Sequence, residues 1–409
     1  MPSASSRAEP SPPPVPLRHD RANEILAREG LAAIVATKPE NVYYATGFAG
    51  VLYPYSGMSI SSAAVVGYGA DPARLVVSSG ARYGLIDQPA GERDRRYFGA
   101  ATPPHDSGTP LDDPLAQRMR GAITALHDDP FDDPVEAVAA SLRQLADRDS
   151  LVAFDDPLFG ADVASRIGRP IRVRPGLALF REIRAAKSPF EVDRLAEALR
   201  RNEEAMALVL AAVHDGATWA GLTGTFRREF AARGGRPLYE VCGIGSRALA
   251  NFAHGDGTVR PGEPVFFDAG GTSDYYWTDT GRTMILGRPS ARLEYVMAVE
   301  AEGLAAVQEA ARPGARAADV AAAFRRVAER HGLPSGDWFW GHGLGLEVYE
   351  LPRIRTDSDD VLVEGMLFNF ETPFREVGLG GGHLEETFVV EWSGCRRLST
   401  LPRSLLTKA

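Results

Sequence analysis

The sequence predicts two domains, an α/β domain followed by an α+β domain that is built from two similar halves. The chain has 409 residues, which is more than a single domain usually contains. In the first part, short apolar runs alternate with helical patterns, as in α/β folds. In the second part, a pair of helices followed by strands occurs twice in succession. We therefore predict a solvated tail, an α/β domain and an α+β domain over residues 1–16, 17–180 and 181–409.

Four apolar runs predict the strands of the first domain. Each run is six or seven residues long and centred on aliphatic side chains, which is the length of a buried strand. The Asp- and Pro-rich stretch 100–133 predicts a long loop. The four runs are LAAIVAT (31–37), SAAVVGY (62–68), RLVVSS (74–79) and SLVAFD (150–155).

The second domain begins with a strong helix-start signal. Ser188-Pro-Phe-Glu supplies an N-cap residue, a first-turn proline and a glutamate three positions after the cap. Glycines and a Pro-Gly pair mark where the following helices end. We predict helices over 188–214, 218–234, 290–311 and 316–331, and strands within 237–287 and 338–393.

Composition excludes several classes of protein. The formal net charge is −9 and no basic stripe occurs, which argues against a nucleic-acid-binding surface. The two cysteines, Cys242 and Cys395, have no C-x-x-C spacing and indicate a reducing compartment. No apolar run approaches the ~20 residues of a membrane helix, and the N-terminus lacks the pattern of a signal peptide. We therefore expect a cytoplasmic protein with no nucleic-acid or membrane partner.

A first pair of acids occupies a predicted hairpin in EPVFFDAGGTSDYYWTDTGRTMILG. Asp268 ends one strand and Asp279 lies in the next. If the turn centres between Thr272 and Asp274, the two acids fall nearly opposite each other, with Cβ atoms ~5 Å apart. Carboxylates so close repel unless a cation lies between them, and hard divalent metals favour carboxylate oxygens.

A second pair of acids repeats this arrangement in MLFNFETPFREVGLGGGHLEETFVVEW. Glu371 ends one strand, and Glu385 or Glu386 begins the return strand; alternation of side chains allows only one of the two to face Glu371. His342 lies between the hairpins and is flanked by glycines. Taken singly, these residues can be turn formers, solvated strand ends or a structural histidine. Four carboxylates and an imidazole together favour a two-metal site, which acidifies a bridging water and polarises the substrate oxygen.

Residues 180–395 resemble the catalytic domain of the creatinase, aminopeptidase P, prolidase and methionine aminopeptidase superfamily, the M24 peptidases. Their motifs D-x-G, D-x-x-R-T, H-G-x-G-L-E-V, Glu before Thr-Pro, and R-I-E-D-T occur here in order. The resemblance implies a "pita-bread" catalytic domain with pseudo-two-fold halves, and RAAKSPFEVDRLAEA (184–198) resembles the entry to that domain in the Xaa-Pro peptidase branch. It also implies a creatinase-like N-terminal α/β domain. The metal ligands that it implies are Asp268, Asp279, His342, Glu371 and Glu385.

The resemblance also assigns roles within this set. It selects Glu385 over Glu386, and it implies that Asp279 and Glu385 bridge two divalent ions. Asp268 then chelates one ion, while His342 and Glu371 hold the other. Mn, Co, Fe and Zn all suit such ligands.

Three further residues align with substrate-contacting positions of the family. His254 in NFAHGDG matches a histidine near the substrate that can shuttle a proton. Tyr349 stands where the peptidases usually have a second histidine, and a phenol can donate a hydrogen bond to an oxyanion. His383 replaces the arginine of R-I-E-D-T, and Glu386 replaces its aspartate. We interpret these changes as lying in the substrate-facing shell, around a retained metal site.

The resemblance leaves three functions open. The first is an Xaa-Pro dipeptidase or aminopeptidase, in which a metal-bound hydroxide attacks the peptide carbonyl. The second is a non-peptidase member, either a creatinase-like or ectoine hydrolase-like C–N hydrolase or a lyase, acting on a small metabolite; the replacements at 349 and 383 favour it. The third is an inactive binding protein, against which the retained ligand set counts. The resemblance further implies a homodimer.

Overall fold

The computed structural model divides into two units, between Arg184 and Ala185. The fold below concerns the residues that the structure describes: 14–50, 60, 62–70, 72–85, 95–99, 108–114, 116–117, 119–120, 130–249, 255, 257–334 and 339–409.

The first unit is built on a six-stranded mixed sheet in the order β4-β3-β2-β1-β5-β6. β1 pairs antiparallel with β2 and parallel with β5, so the chain leaves the sheet and returns beside its first strand. The four predicted strands are confirmed, whereas β4 and β6 carry too few apolar residues to be recognised from sequence. The strands are β1 (Leu31–Ala36), β2 (Ser62–Gly67), β3 (Arg74–Ser78), β4 (Arg95–Phe98), β5 (Leu151–Phe154) and β6 (Arg172–Pro175).

Five described helices accompany this sheet. Two of them begin with an aspartate whose side chain accepts hydrogen bonds from first-turn backbone N–H groups: Asp133 from Glu136, and Asp156 from Leu158 and Phe159. The helices are α1 (His19–Glu29), α2 (Pro39–Thr46), α3 (Pro134–Leu142), α4 (Pro157–Arg166) and α5 (Leu177–Ala185).

The second unit contains four long helices, as the sequence predicts. Ser188 and Glu191 form the predicted capping box at the start of the first of them. Within the described part of the unit the helices come in two pairs, each followed by strands, which confirms the two-halves prediction. They are α6 (Pro189–Ala212), α7 (Trp219–Ala232), α8 (Ala291–Ala310) and α9 (Ala317–Arg330).

Each helix pair packs on its own sheet through a separate core. α6 and α7 bury Met206, Phe226 and Phe230 against one sheet. α8 and α9 bury Val307 and Phe324 against the other. The first sheet contains the strands within residues 235–286 together with 406–408, and the second contains those within 340–371 and 385–397.

The strands of the second unit carry the predicted acids. They are β7 (Gly235–Ile244), β8 (Pro264–Ser273), β9 (Tyr276–Leu286), β10 (Trp340–Gly343), β11 (Glu350–Ile354), β12 (Leu367–Glu371), β13 (Phe374–Glu376), β14 (Gly380–Gly382), β15 (Glu385–Glu391), β16 (Gly394–Arg397) and β17 (Leu406–Lys408). No described helix in either unit is long and apolar enough to cross a membrane.

The register of the β8–β9 hairpin corrects one sequence prediction. Asp274 and Tyr275 form the turn with φ values of 49° and 75°, the left-handed pair that tight hairpins need. Consequently Asp268 pairs with Gly281, and Asp279 pairs with Gly270. The prediction that the two aspartates lie opposite each other is therefore wrong by two residues. Because an offset of two preserves the face, both side chains still lie on the same side of the sheet.

The second hairpin has the predicted pairing. Glu371 on β12 lies directly opposite Glu385 on β15. An isolated bridge between Arg282 and Leu384 connects β9 to the residue preceding β15. This bridge brings the acids of the two hairpins toward one another.

Candidate metal centre

Five side chains from five strands meet between the two sheets of the second unit. His342 Nε2 lies 3.7 Å from Asp279 Oδ2 and 3.4 Å from Glu371 Oε1. Ligand-type atoms of Asp279, His342 and Glu385 lie within 4.8 Å of one another, and Glu385 also forms such a group with Asp268 and His383. Glu385 is thus common to two neighbouring groups.

The pKa values of the four carboxyl groups rise because these groups are half-buried or buried and lie close to one another. Burial, then the charge of Glu385, raises the pKa of Asp268 to about 7. Burial first and a neighbouring carboxylate second raise the pKa of Asp279, Glu371 and Glu385 well above the usual range. The protein itself therefore provides too little positive charge for four ionised acids at this place.

Unpaired polar atoms give a second test of whether a cation fits. Asp268 Oδ1, His342 Nε2 and Glu385 Oε2 are fully buried and have no hydrogen-bond partner among the described residues. Buried polar groups are normally paired, so such atoms require an explanation. Carboxylate oxygens and an imidazole nitrogen are the donors that divalent transition ions accept, and the residues present therefore fit divalent metal ions.

The backbone orients the imidazole of His342. Its Nδ1 lies 3.0 Å from the carbonyl oxygen of Gly343. Because a carbonyl oxygen only accepts, Nδ1 carries the proton and the lone pair of Nε2 faces the acids. The ring of Tyr349 meets the His342 ring edge-on, with centroids 4.6 Å apart.

Asn369 holds two of the acidic strands together and was missed from the sequence. Its Nδ2 donates to Glu385 Oε1 at 2.8 Å and to the backbone oxygen of Asp279 at 3.3 Å. Thr387 Oγ1 donates to Asn369 Oδ1 at 2.6 Å, which fixes the amide orientation. A signal existed, because Asn369 lies two positions before Glu371 and so shares its face of β12.

Tyr239 on β7 is the second residue that sequence reasoning missed. Its hydroxyl donates to Asp279 Oδ1. Tyr239 pairs with Gly270, and Gly270 pairs with Asp279. The phenol ring therefore passes over Gly270, which has no side chain, to reach Asp279. A Cβ on Gly270 would lie 2.6 Å from Tyr239 Cε1, which makes the glycine necessary for this contact.

The three predicted substrate-facing residues have different outcomes. His254 lies outside the described residues. Tyr349 is 56% exposed beside His342, and burial followed by the charge of Glu371 raises its pKa to about 12, so the phenol stays neutral. His383 is 0% exposed. Its ring lies inside the acid cluster, where a ligand-type atom of the imidazole is within 4.8 Å of those of Asp268 and Glu385.

Burial also changes the basicity of His383. Removal from water lowers the pKa of its imidazole to about 4, and the charge of Asp268 offsets this effect only in part. Glu386 points to the opposite side of β15, where it meets Arg282, Arg397 and Arg403. The geometry thus puts Glu385 in the cluster and Glu386 outside it.

Comparison with known proteins agrees with this combination of fold and buried acidic site. The family model for metallopeptidase family M24 matches residues 193–391. A second model, the creatinase/prolidase N-terminal domain, matches residues 18–88. The chain belongs to metallopeptidase family M24, and the expected creatinase-like N-terminal domain and pita-bread catalytic domain are both confirmed. Membership of this family implies divalent metal ions.

Two individual relatives match parts of this chain. An Xaa-Pro dipeptidase of Pyrococcus furiosus is 32% identical over 39% of this chain and 46% of the relative. An Xaa-Pro dipeptidase of Lactobacillus helveticus is 29% identical over 62% of this chain and 66% of the relative. The chain thus matches less than two thirds of the length of either relative.

A solved structure extends the likeness over both domains. The crystal structure of a dipeptidase from Pyrococcus horikoshii OT3 has a TM-score of 0.75 and 22% identity, covering 96% of this chain and 100% of that one. At this level of identity the likeness concerns the fold.

Proposed function

We propose that this protein is a metal-dependent hydrolase that cleaves the bond preceding proline in small peptides, as an Xaa-Pro dipeptidase or aminopeptidase. The observation that carries the proposal is Glu385, a buried carboxylate shared by two groups of ligand-type atoms. The names of the relatives, Xaa-Pro dipeptidases, support the choice of substrate. Family membership supports the class of reaction.

The residues that would hold two divalent ions are Asp268, Asp279, His342, Glu371 and Glu385. Glu385 would be shared between them, because it belongs to both groups of ligand-type atoms, and the family resemblance implies the same role for Asp279. When bound, such ions acidify a water molecule and polarise a carbonyl oxygen. The native metal is open among Mn, Co, Fe and Zn, and we propose manganese as the first to test, because four of the five donors are carboxylates.

The surrounding residues keep these donors in position. Asn369 fixes one oxygen of Glu385, Tyr239 fixes one oxygen of Asp279, and the Gly343 carbonyl sets the tautomer of His342. Each interaction leaves the second donor atom free to face the ions. Such outer contacts commonly change metal affinity by about 10–100-fold when removed.

Tyr349 is the candidate contact to the reacting carbonyl. Its hydroxyl remains protonated at neutral pH, so it can donate a hydrogen bond to an oxygen that gains negative charge. The rings of Trp340 and Tyr349 stack with centroids 5.7 Å apart, and this pair offers an apolar wall for a proline ring. His254 remains our proposed proton shuttle.

A second candidate function is hydrolysis of a C–N bond in a small amidine or cyclic amide. Tyr349 and His383 favour it, because these two residues depart from the pattern that we expect for peptidases. The five candidate ligands are equally compatible with either substrate class. Only a substrate assay distinguishes the two functions.

We also propose a cytoplasmic homodimer. Cys242 and Cys395 are both free, which suits a reducing compartment. The homodimer follows from the resemblance to the Xaa-Pro peptidase branch. Light scattering of the purified chain at micromolar concentration tests it, and a mass of one chain would contradict it.

The proposed function is tested with protein freed of metal by chelation and reloaded with Mn, Co or Zn. Xaa-Pro dipeptides, matched Xaa-Ala dipeptides, longer Xaa-Pro peptides, and cyclic amides and amidines are compared as substrates. We expect proline release at least ~10-fold faster than cleavage of the alanine analogues. Turnover confined to the cyclic amides or amidines would replace the peptidase proposal with the second candidate.

Variants on one hairpin supply the internal control. Asp279→Ala should bind no metal and lose activity while remaining folded by circular dichroism. Asp274→Asn changes an acid at the turn of the same hairpin, outside the cluster, and should retain both metal and activity. An Asp279→Ala protein that is active without metal would refute the assignment of the site.

A further inference from the structure

His383 is a buried imidazole whose two ring nitrogens are unexplained by the protein around it. The side chain is 0% exposed. Neither Nδ1 nor Nε2 has a hydrogen-bond partner among the described residues. Since an imidazole always presents at least one donor, burial of both nitrogens without a partner is unfavourable unless another group completes the site.

The nearest polar groups to this ring are also incomplete. Glu385 Oε2 lies 3.7 Å from His383 Nε2, beyond hydrogen-bond distance. Glu385 Oε2 and Asp268 Oδ1 are themselves buried and unpaired within the described chain. Donor atoms of Asp268, His383 and Glu385 all lie within 4.8 Å of one another. Asp268, His383 and Glu385 thus each have a buried atom without a partner, and their ligand-type atoms lie close enough together to bind one shared cation.

The fold holds the ring of His383 in this orientation. Phe266 stacks on it with centroids 4.7 Å apart and planes 15° from parallel. The backbone of His383 donates to Thr283 Oγ1 at 2.6 Å and accepts from it at 3.2 Å. The ring also occupies the space beside Gly281, where a Cβ would lie 2.0 Å from His383 Nε2. Residue 281 must therefore be glycine for this rotamer to exist.

We propose that His383 is a sixth protein ligand, which binds the ion held by Asp268 and Glu385. This inference rests on the proposed function, since it requires that the cluster binds divalent ions. His342 serves the neighbouring position, so each of the two positions has one imidazole. The sequence interpretation of His383 as a substrate contact is thereby replaced by a role in metal binding and selection.

An added imidazole changes which metals the site prefers. Imidazole nitrogen suits Zn, Co and Ni better than it suits Mn, for which oxygen donors suffice. His383 should therefore raise affinity for Zn²⁺ more than affinity for Mn²⁺ at one of the two positions. A purely packing role, with the ring only stacked on Phe266, predicts no such difference.

The direct test is X-ray absorption of the full-length protein loaded with two equivalents of Zn²⁺. We expect one imidazole per zinc on average in the wild type and half of that value in His383→Gln. Zinc titration of His383→Gln should show one of two sites weakened by at least ~10-fold and the other unchanged. The exposed histidine His214 provides a matched control, and His214→Gln should equal the wild type.

Gly281→Ala tests the geometry while leaving His383 in place. The methyl group of the alanine would displace the His383 ring. The number of imidazole ligands per zinc should therefore also be half in this variant. The double variant Gly281→Ala/His383→Gln should lose no further zinc affinity, because both changes remove one interaction. If His383→Gln does not fold, the wild-type value and Gly281→Ala still decide the question.

The alternative outcomes separate this inference from the proposed function. Half an imidazole per zinc in the wild type, unchanged in His383→Gln, would overturn the sixth ligand while leaving the metallohydrolase intact. Failure of the wild type to bind Zn²⁺ or Mn²⁺ would overturn both. Equal loss of Zn²⁺ and Mn²⁺ affinity in His383→Gln would contradict the selective role.

Discussion

Glu385 and Glu386 are consecutive glutamates on β15 with the same burial and opposite surroundings. Each is 1% exposed. Glu386 faces three guanidinium groups: Arg403 at 2.6 Å, Arg397 at 2.5 Å and Arg282 at 3.6 Å. Glu385 lies among Asp279, Glu371 and Asp268, and burial first, then the negative charge of Glu371, raises its pKa well above the usual range.

The difference shows how one strand separates two kinds of charged site. Alternation along β15 sends one carboxylate to each face of the sheet. On one face, arginines from the same chain compensate the charge, so the cluster is complete without a ligand. On the other, the compensating charge has to come from outside the chain. A buried acid without a cation is therefore a better indicator of a metal site than a buried acid alone.

The largest expected effect follows from removing the shared acid. Glu385→Gln should reduce bound metal from two ions to less than one and lower kcat/KM by at least ~10³-fold. The reason is that the carboxylate of Glu385 belongs to both groups of ligand-type atoms. The metal-free variant should be at least as stable as the metal-free wild type, since it removes a buried carboxyl group whose ionised form is unfavourable there. Atomic absorption, steady-state assays and urea unfolding measure the three quantities.

Glu391→Gln is the matched control for that variant. Glu391 ends the same strand and pairs with Arg396 at the surface. This substitution should leave metal content and activity unchanged. Full metal occupancy in Glu385→Gln would break the contrast between the two faces of β15.

The second largest expected effect is a loss of stability when Glu386, on the face of β15 that meets the three arginines, is changed. Glu386→Gln leaves three guanidinium groups without their common partner, and breaking a buried ion pair of this kind lowers the free energy of unfolding by about 3–5 kcal/mol. Metal content of the folded fraction should remain at two ions. Urea unfolding and metal analysis of the same sample provide the measurement. Loss of metal at unchanged stability would mean that the two faces are not independent.

Much of the site could be predicted because its signals are local. Ser188 and Glu191 define a capping box within four residues, and the Glu371–Glu385 pairing follows from two apolar strands around a glycine-rich turn. The strand register that relates Asp268 to Asp279 is harder to predict, because it depends on which residues of the turn take positive φ. Here these are Asp274 and Tyr275, and a tyrosine is an unusual choice for that conformation.

The remaining contacts depend on distances through space that leave no pattern along the chain. Tyr239 reaches Asp279 across two strand neighbours, which requires Gly270 between them. His383 fits against Glu385 only because Gly281, far away in sequence, leaves room. In both cases the informative residue is a glycine that accommodates a side chain of another strand, and such a glycine resembles any other in sequence.

The smallest expected effect is a change of Tm with pH, which tests the contrast between the uncompensated acids and the arginine-compensated Glu386. In metal-free protein the pKa of Asp268 is raised from 3.8 to about 7, and those of Asp279, Glu371 and Glu385 rise in the same direction. The folded state then binds more protons than the unfolded state between about pH 4 and pH 7, so stability falls as pH rises through this window. At about 1.4 kcal/mol per pH unit for one such group, Tm should drop by roughly 5 °C between pH 5.5 and 8.

Added metal should reverse this trend, because ions bind the deprotonated cluster and their stabilising effect grows with pH. Glu191, whose pKa burial raises to about 7, contributes equally with and without metal and cancels in the difference. Scanning calorimetry with EDTA and with Zn²⁺ at both pH values measures that difference. Asp268→Asn removes one titrating group and should flatten the metal-free profile, whereas Glu391→Gln should not. A metal-free Tm that rises from pH 5.5 to 8 would mean that the acids of the cluster are compensated by the protein itself, as Glu386 is by its arginines.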